Sequence, residues 1–291
     1  MSSRILPPEL IDNIIDHFHD DPATLHSCAL VNSAWLPASR YHIFHRVSIR
    51  FNEGPYPYNT SCGGEASRLY QILASSPKIV PYICDLLIYK GTKSLDPDLN
   101  QMTQEESLPL LLRLLTNLRR LEFKIAHRRM VGLELVRWHS RLIDSICMAS
   151  CLPSVAELRL CGLCFDNREH LLRMFRLFPA LKVLHLKNIV LRVIKEGEGH
   201  YTAYQYDEAE GGSDLVTTQR TRLDVLSLSF LHYPGITETL LHPQLFIDVT
   251  RIRQLNLAVR PAFQANLLRS TPYVEYLRYD FGYGEFSPYP M

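Results

Sequence analysis

The sequence predicts an α/β chain: a small three-helix module over residues 4–48, then an irregular solenoid over residues 65–291 with a parallel inner sheet and outer helices. Three observations predict it. Leu10, Ile11, Ile14, Ile15 and Phe18 fall at three- and four-residue steps, which places them on one helix face. Further on, an apolar-x-x-apolar-x-apolar pattern returns seven times, with the alternation of a strand in its second half. Between its occurrences lie stretches with apolar residues at helical spacing, several of them closed by proline.

The module opens on Leu6, Pro7, Pro8 and Glu9. Proline needs no N–H in a first turn, and an acid suits the positive end of the helix dipole. Asp20, Asp21 and Pro22 interrupt this first helix; a second is expected from Thr24 to about Val31 and a third from beyond Trp35 to Phe44. Units this small do not bury their own apolar surface and lean on a neighbour or a partner.

Leu6-Pro7-Pro8-Glu9-Leu10, the isoleucines at 14 and 15, Leu25 and the run from Ala29 to Trp35 together resemble an F-box. That family shows Leu-Pro-x-Glu-aliphatic at the front and Val-Cys/Ser-Lys/Arg-x-Trp toward the back; Ser33 stands where Lys or Arg is usual. The resemblance implies docking on the Skp-type adaptor, and through it on cullin, in a Skp–cullin–F-box ubiquitin ligase. The implied adaptor-binding residues are Leu6, Pro7, Leu10, Ile11, Ile14, Val31 and Trp35.

Residues 51–64 read as a loop, and as a hinge between the module and the rest of the chain. The repeated pattern then runs Ile83/Leu86/Ile88, Leu118/Leu121/Phe123, Val155/Leu158/Leu160, Leu181/Leu184/Leu186, Leu223/Leu226/Leu228, Ile252/Leu255/Leu257 and Val274/Leu277/Tyr279. Helices are expected over residues 66–74, 104–115, 141–149, 168–178 and 261–268. Alternating helix and strand units of this kind resemble a degenerate leucine-rich repeat. The first positions are 35, 37, 26, 42, 29 and 22 residues apart, so the repeat is irregular. Leu163 and Ile189 also occupy the offset where a polar residue is usual. A polar insertion at 90–101 and a long one at 192–222 account for most of the irregularity. The second is acidic and poor in aliphatics, a composition expected of a flexible flap. The aromatic tail at 281–291 reads as a cap on the last repeat.

Composition narrows the function classes. With 31 basic and 30 acidic residues, bulk charge does not favour a nucleic-acid partner. No stretch approaches 18 apolar residues and the start is unlike a secretory signal, so a chain without a membrane partner, in cytoplasm or nucleus, is expected, with its seven cysteines reduced. No hydrolase elbow, dinucleotide loop or zinc-protease helix occurs, and no cofactor, metal, catalytic residue or small-molecule substrate is assigned. Cys161 and Cys164 read as core thiols.

Recognition is the expected work. Residues flanking the last two apolar positions of each pattern point away from the core. Arg120, Lys124, Arg159, His185, Lys187 and Arg278 are thereby expected to bind a protein substrate, an acidic or phosphorylated segment suiting the arginines. The chain is expected to be a non-catalytic substrate receptor, with a protein-interaction scaffold outside any ligase as the alternative.

Overall fold

The computed structural model describes residues 6–51, 65–90, 107–125, 146, 152–165, 168–191, 221–229, 240–241, 247–258 and 264–279. The expected hinge at 52–64, loop at 91–101, helix at 141–149 apart from Ile146, insertion as far as 220 and tail at 281–291 lie outside the described residues.

Helix α1 (Pro8–Asp16) starts on its prolines as expected and buries Ile11 and Ile15. Helix α2 (Pro22–Val31) begins two residues before Thr24. Asp21 is a cap rather than a breaker: its Oδ1 accepts from the Ala23 and Thr24 amides at 3.1 and 3.2 Å. Pro22 then takes the first helical position, where its missing N–H leaves nothing unsatisfied. Helix α3 (Leu36–His45) closes the unit. Ile11, Ile15 and Leu25 form the module's core, with Trp35, Ala38 and Ile43 packed half-buried against it. Three buried aliphatic side chains are a thin core, and α3 leans on the 3-10 helix Pro77–Tyr82 and on the strand directly after it.

That strand, β1 (Arg46–Phe51), continues from α3 without a break. It is not among the seven expected, and the expected module boundary at residue 48 cuts through it. Its signal is present in the sequence: Phe44, Val47 and Ile49 repeat the strand pattern. Residues 52–64 therefore lie between β1 and helix α4 (Glu65–Ser75), not between the module and the sheet.

The other strands are β2 (Asp85–Lys90), β3 (Arg120–Ile125), β4 (Glu157–Cys161), β5 (Cys164–Phe165), β6 (Val183–Lys187) and β7 (Val190–Leu191). After them come β8 (Thr221–Arg222), β9 (Val225–Ser229), β10 (Ile247–Asp248), β11 (Gln254–Ala258) and β12 (Tyr276–Tyr279). Eight form one sheet in the order β1-β2-β3-β4-β6-β9-β11-β12, parallel throughout and following the chain. Each return of the chain adds the next strand to the same edge.

Register explains the burial. Leu86, Leu121, Leu158, Leu184, Leu226 and Leu255 form one row across the sheet. Ile88, Phe123, Leu160, Leu186, Leu228 and Leu257 form a second, and both rows are buried. Helices α4, α5 (Ser107–Leu114), α6 (Arg168–Phe175) and α7 (Gln264–Ser270) supply the opposing side of the same core through Leu73, Leu108, Leu111, Leu171, Phe175 and Leu267. At the far edge Leu277 of β12 takes the leucine position yet is 53% exposed.

Two short parallel pairs, β5 with β7 and β8 with β10, run beside the main sheet. Gly162 (φ 76°) and Asn188 (φ 52°) turn the chain out of β4 and β6 in the left-handed region, which glycine and asparagine tolerate best. Leu163 and Ile189 come next and are buried. Backbone bonding replaces a polar side chain there: the Val190 amide donates to Leu163 O at 2.9 Å.

Candidate functional site

Two surfaces carry the expected site residues. The first lies on the module. Leu6, Pro7, Leu10 and Ile14 are exposed along α1 and its approach, and Val31 is 67% exposed at the end of α2. Ile11 does not join them. It is 2% exposed and packs against Ile15 and Leu25, because a step of one residue carries it to the inner side of the helix. Trp35 is half-buried against the same core, so it supports the module's fold. Leu30, 87% exposed, and Phe18 are not among the expected residues. The helical repeat of α2 explains Leu30, since it turns Leu25 and Cys28 inward and leaves Leu30 and Val31 out; Phe18 lies in the turn beyond α1. Scattered apolar side chains on a surface are ordinary, but Leu6, Leu10, Ile14, Phe18, Leu30 and Val31 are all exposed within this one small unit.

The second surface is the face of the sheet opposite the leucine rows. Strand alternation presents three polar rows there. One holds Arg46, Asp85, Arg120 and Glu157; the next Ser48, Leu87, Glu122, Arg159, His185, Ser227, Asn256 and Arg278; the third Arg50, Tyr89, Lys124, Cys161, Lys187 and Ser229. Parallel sheets usually have both faces covered by apolar packing. This one keeps a charged face.

Glu157 is its hub. Arg120 Nε donates to Glu157 Oε2 at 2.7 Å, and its Nη1 reaches Asp85 Oδ2 at 3.1 Å. Arg159 Nε donates to Glu157 Oε1 at 2.5 Å, and His185 Nε2 stands 3.6 Å from the same oxygen. Arg46 and Glu122 pair more loosely at 3.7 Å. Burial opposes charging Glu157, but the hydrogen bonds from Arg120 and Arg159 outweigh it and hold its pKa below the usual glutamate value. Burial likewise works against the Arg120 cation, and Glu157 with Asp85 raises its pKa in spite of that. His185 moves down: burial first, then repulsion from Arg159, exceed the pull of Glu157.

The six expected substrate-binding residues thus divide. Arg120, Arg159 and His185 have carboxylate partners within the face. Lys124, Lys187 and Arg278 are exposed, the two lysines flanking Cys161 in register. Burial pushes the Cys161 thiol up despite both lysines, which keeps it a poor nucleophile. Reversing charge at Arg120 or Arg159 therefore disturbs the face itself, whereas exposed Lys124 is the cleaner probe of capture.

Glu157→Gln is expected to lower stability by about 1–2 kcal/mol, below the usual range for charged hydrogen bonds because both arginine partners stay over a third exposed. The pH dependence has a definite sign. His185 titrates below its ordinary 6.5 in the folded chain, so just beneath that value the unfolded chain binds the extra proton and stability falls as the pH is lowered. Glu157 adds the same sign beneath its ordinary 4.5. Thermal midpoints from about pH 7 to about pH 4 check this: His185→Asn should flatten the upper part of the decline and leave the lower part.

Among the described residues no helix is long and apolar enough to cross a membrane. A comparison with known protein families and with curated proteins finds no match to this chain.

Proposed function

We propose that the chain is the substrate-recognition subunit of a Skp–cullin–F-box ubiquitin ligase. On this reading the N-terminal helices are an F-box that docks on a Skp-type adaptor and through it on cullin, and the sheet domain is a degenerate leucine-rich-repeat solenoid that holds a protein substrate. The chain performs no chemistry itself. It raises the effective concentration of substrate lysines near the transferring enzyme by tethering both.

The observation that carries the reading is the contrast between exposed Leu10, Ile14 and Val31 and buried Ile11 and Ile15 within the stretch that resembles an F-box. The module has its own core and still offers apolar side chains outward. Sequential addition of parallel strands, each backed by buried leucines, supports the repeat reading. The charged face of the sheet favours a second reading equally well, a protein-interaction scaffold outside any ligase.

Co-expression with a Skp-type adaptor and cullin decides between them. A ternary complex that stays together through gel filtration is the expected result. If the folded chain elutes alone while adaptor and cullin pair normally, the ligase reading fails and the scaffold remains.

A further inference from the structure

The last strand of the sheet leaves an edge that neither surface above uses. β12 pairs with β11 on one side, and among the described residues no strand pairs with its other side. The Tyr276 amide donates across to Arg253 O at 3.0 Å. Alternation along a parallel ladder then turns the amide and carbonyl of the next residue, Leu277, to the open side. Apolar surface collects at the same place. Tyr276 is 70% exposed and Leu277 more than half, whereas Leu226 and Leu255, in the same row as Leu277, are buried.

The opposite edge of the sheet is finished differently. At β1 the Glu65 carboxylate of α4 accepts the Arg50 amide, and α3 leans on the same strand. A side chain that takes up an outward amide blunts an edge. β12 of one copy therefore meets no matching edge in β1 of the next, which closes off head-to-tail growth. A contact of β12 with itself remains, and such a contact closes on two copies.

We infer that this edge pairs with β12 of a second copy of the chain, antiparallel about a two-fold axis at Leu277. A two-fold axis that continues the sheet sets identical strands antiparallel. Residues directly opposite then share a face, so the axis falls on a residue and not between two. An axis at Arg278 would set two guanidinium groups against each other, and like charges directly opposite destabilise. An axis at Tyr276 would set Leu277 against the Glu275 carboxylate. An axis at Leu277 brings the two leucines together, extending the leucine row, with their outward amides and carbonyls in position to exchange two bonds. It also sets Tyr276 opposite Arg278 of the second copy, twice by symmetry, close enough for ring and guanidinium to meet. β12 is only four residues long, so the contact is smaller than that of a permanent dimer. A dimer that dissociates on dilution through the micromolar range is the expected form. The inference does not rest on adaptor binding, and its test fails or succeeds separately from that of the proposed function.

The test is sedimentation equilibrium of the whole chain over a wide concentration series, and a monomer–dimer equilibrium is the expected result. Leu277→Asp sets two carboxylates against each other at the axis and is expected to weaken the dimer at least about tenfold. Leu277 is largely exposed in a single copy, so the thermal midpoint of the dilute chain should barely move. Tyr276→Arg, placed opposite Arg278, should weaken the dimer by a similar factor, whereas Tyr276→Glu should hold it. A monomer at every concentration overturns the inference, as does a dimer that Leu277→Asp leaves intact. Growth beyond the dimer overturns the two-fold closure, and equal weakening by Tyr276→Arg and Tyr276→Glu overturns the axis at Leu277. Dimerisation only after removal of residues 281–291 assigns the edge to the chain's own tail and overturns the second copy as its occupant.

Discussion

Replacing Leu10, Ile14, Leu30 and Val31 together by serine is expected to lower capture of a Skp-type adaptor by at least a hundredfold and leave the chain folded. All four are exposed, Leu30 and Val31 strongly so, and the module's buried Ile11, Ile15 and Leu25 are untouched. Burying a large aliphatic side chain in a partner contributes about 1.5–3 kcal/mol, so losing two such contacts already exceeds a hundredfold. The substitution also removes apolar surface that water hydrates poorly, so solubility should rise. Ile15→Ala is the control of opposite kind. It opens the core of the module and should weaken capture only by loosening the helices, visible as a lower far-ultraviolet signal. Wild-type capture by the folded serine variant would dismiss this surface as the adaptor contact.

The second large effect concerns the sheet. Phe123→Ala is expected to cost about 3–5 kcal/mol, and Leu277→Ala under about 1 kcal/mol, although both residues occupy the repeated apolar pattern. Phe123 is among the largest fully buried side chains and sits in register between Ile88 and Leu160, with strands on both sides. Its removal leaves a hole that neighbours on neither strand can fill. Leu277 lies on the last strand with more than half of its surface in solvent. For a chain of this size the first change corresponds to about 10 °C in melting temperature. Denaturant titration of both variants checks the contrast, and equal losses would mean the two positions are not packed as described.

Much of the sheet is legible in the sequence for a simple reason. In all seven expected patterns the last two apolar positions lie within strands, from Leu86 and Ile88 in β2 to Leu277 and Tyr279 in β12. Strand alternation over a one-sided core leaves a mark that survives irregular spacing. β1 escapes because its pattern begins at Phe44, inside the stretch that reads as the third helix. A helix that runs straight into a strand shares residues between two periodicities, and the first to be read hides the other. Asp21 is ambiguous for a related reason: an Asp-Pro pair reads equally as the stop of one helix or the start of the next, and only the side-chain direction tells which.

The charged face is half legible. Alternation places Arg120, Arg159 and His185 outward as expected. The carboxylates that hold Arg120 stand 35 and 37 positions away in the chain, on the strands to either side of it. Summing charge over neighbouring repeats makes this surface look basic. Reading it row by row places Asp85, Arg120 and Glu157 side by side, and within that row the excess disappears, while Lys124 and Lys187 keep it in the third.

The passage from α3 into β1 has a mechanical consequence. His45 ends the helix, Arg46 begins the strand, and His45 O accepts from the Cys84 amide at 3.0 Å. There is no slack at that joint. Strand side chains alternate with a period of two, so one residue inserted there would send Val47 and Ile49 to the wrong side of the sheet. The front helices thus stand at a fixed bearing to the sheet, like two jaws of a bracket cut from one piece.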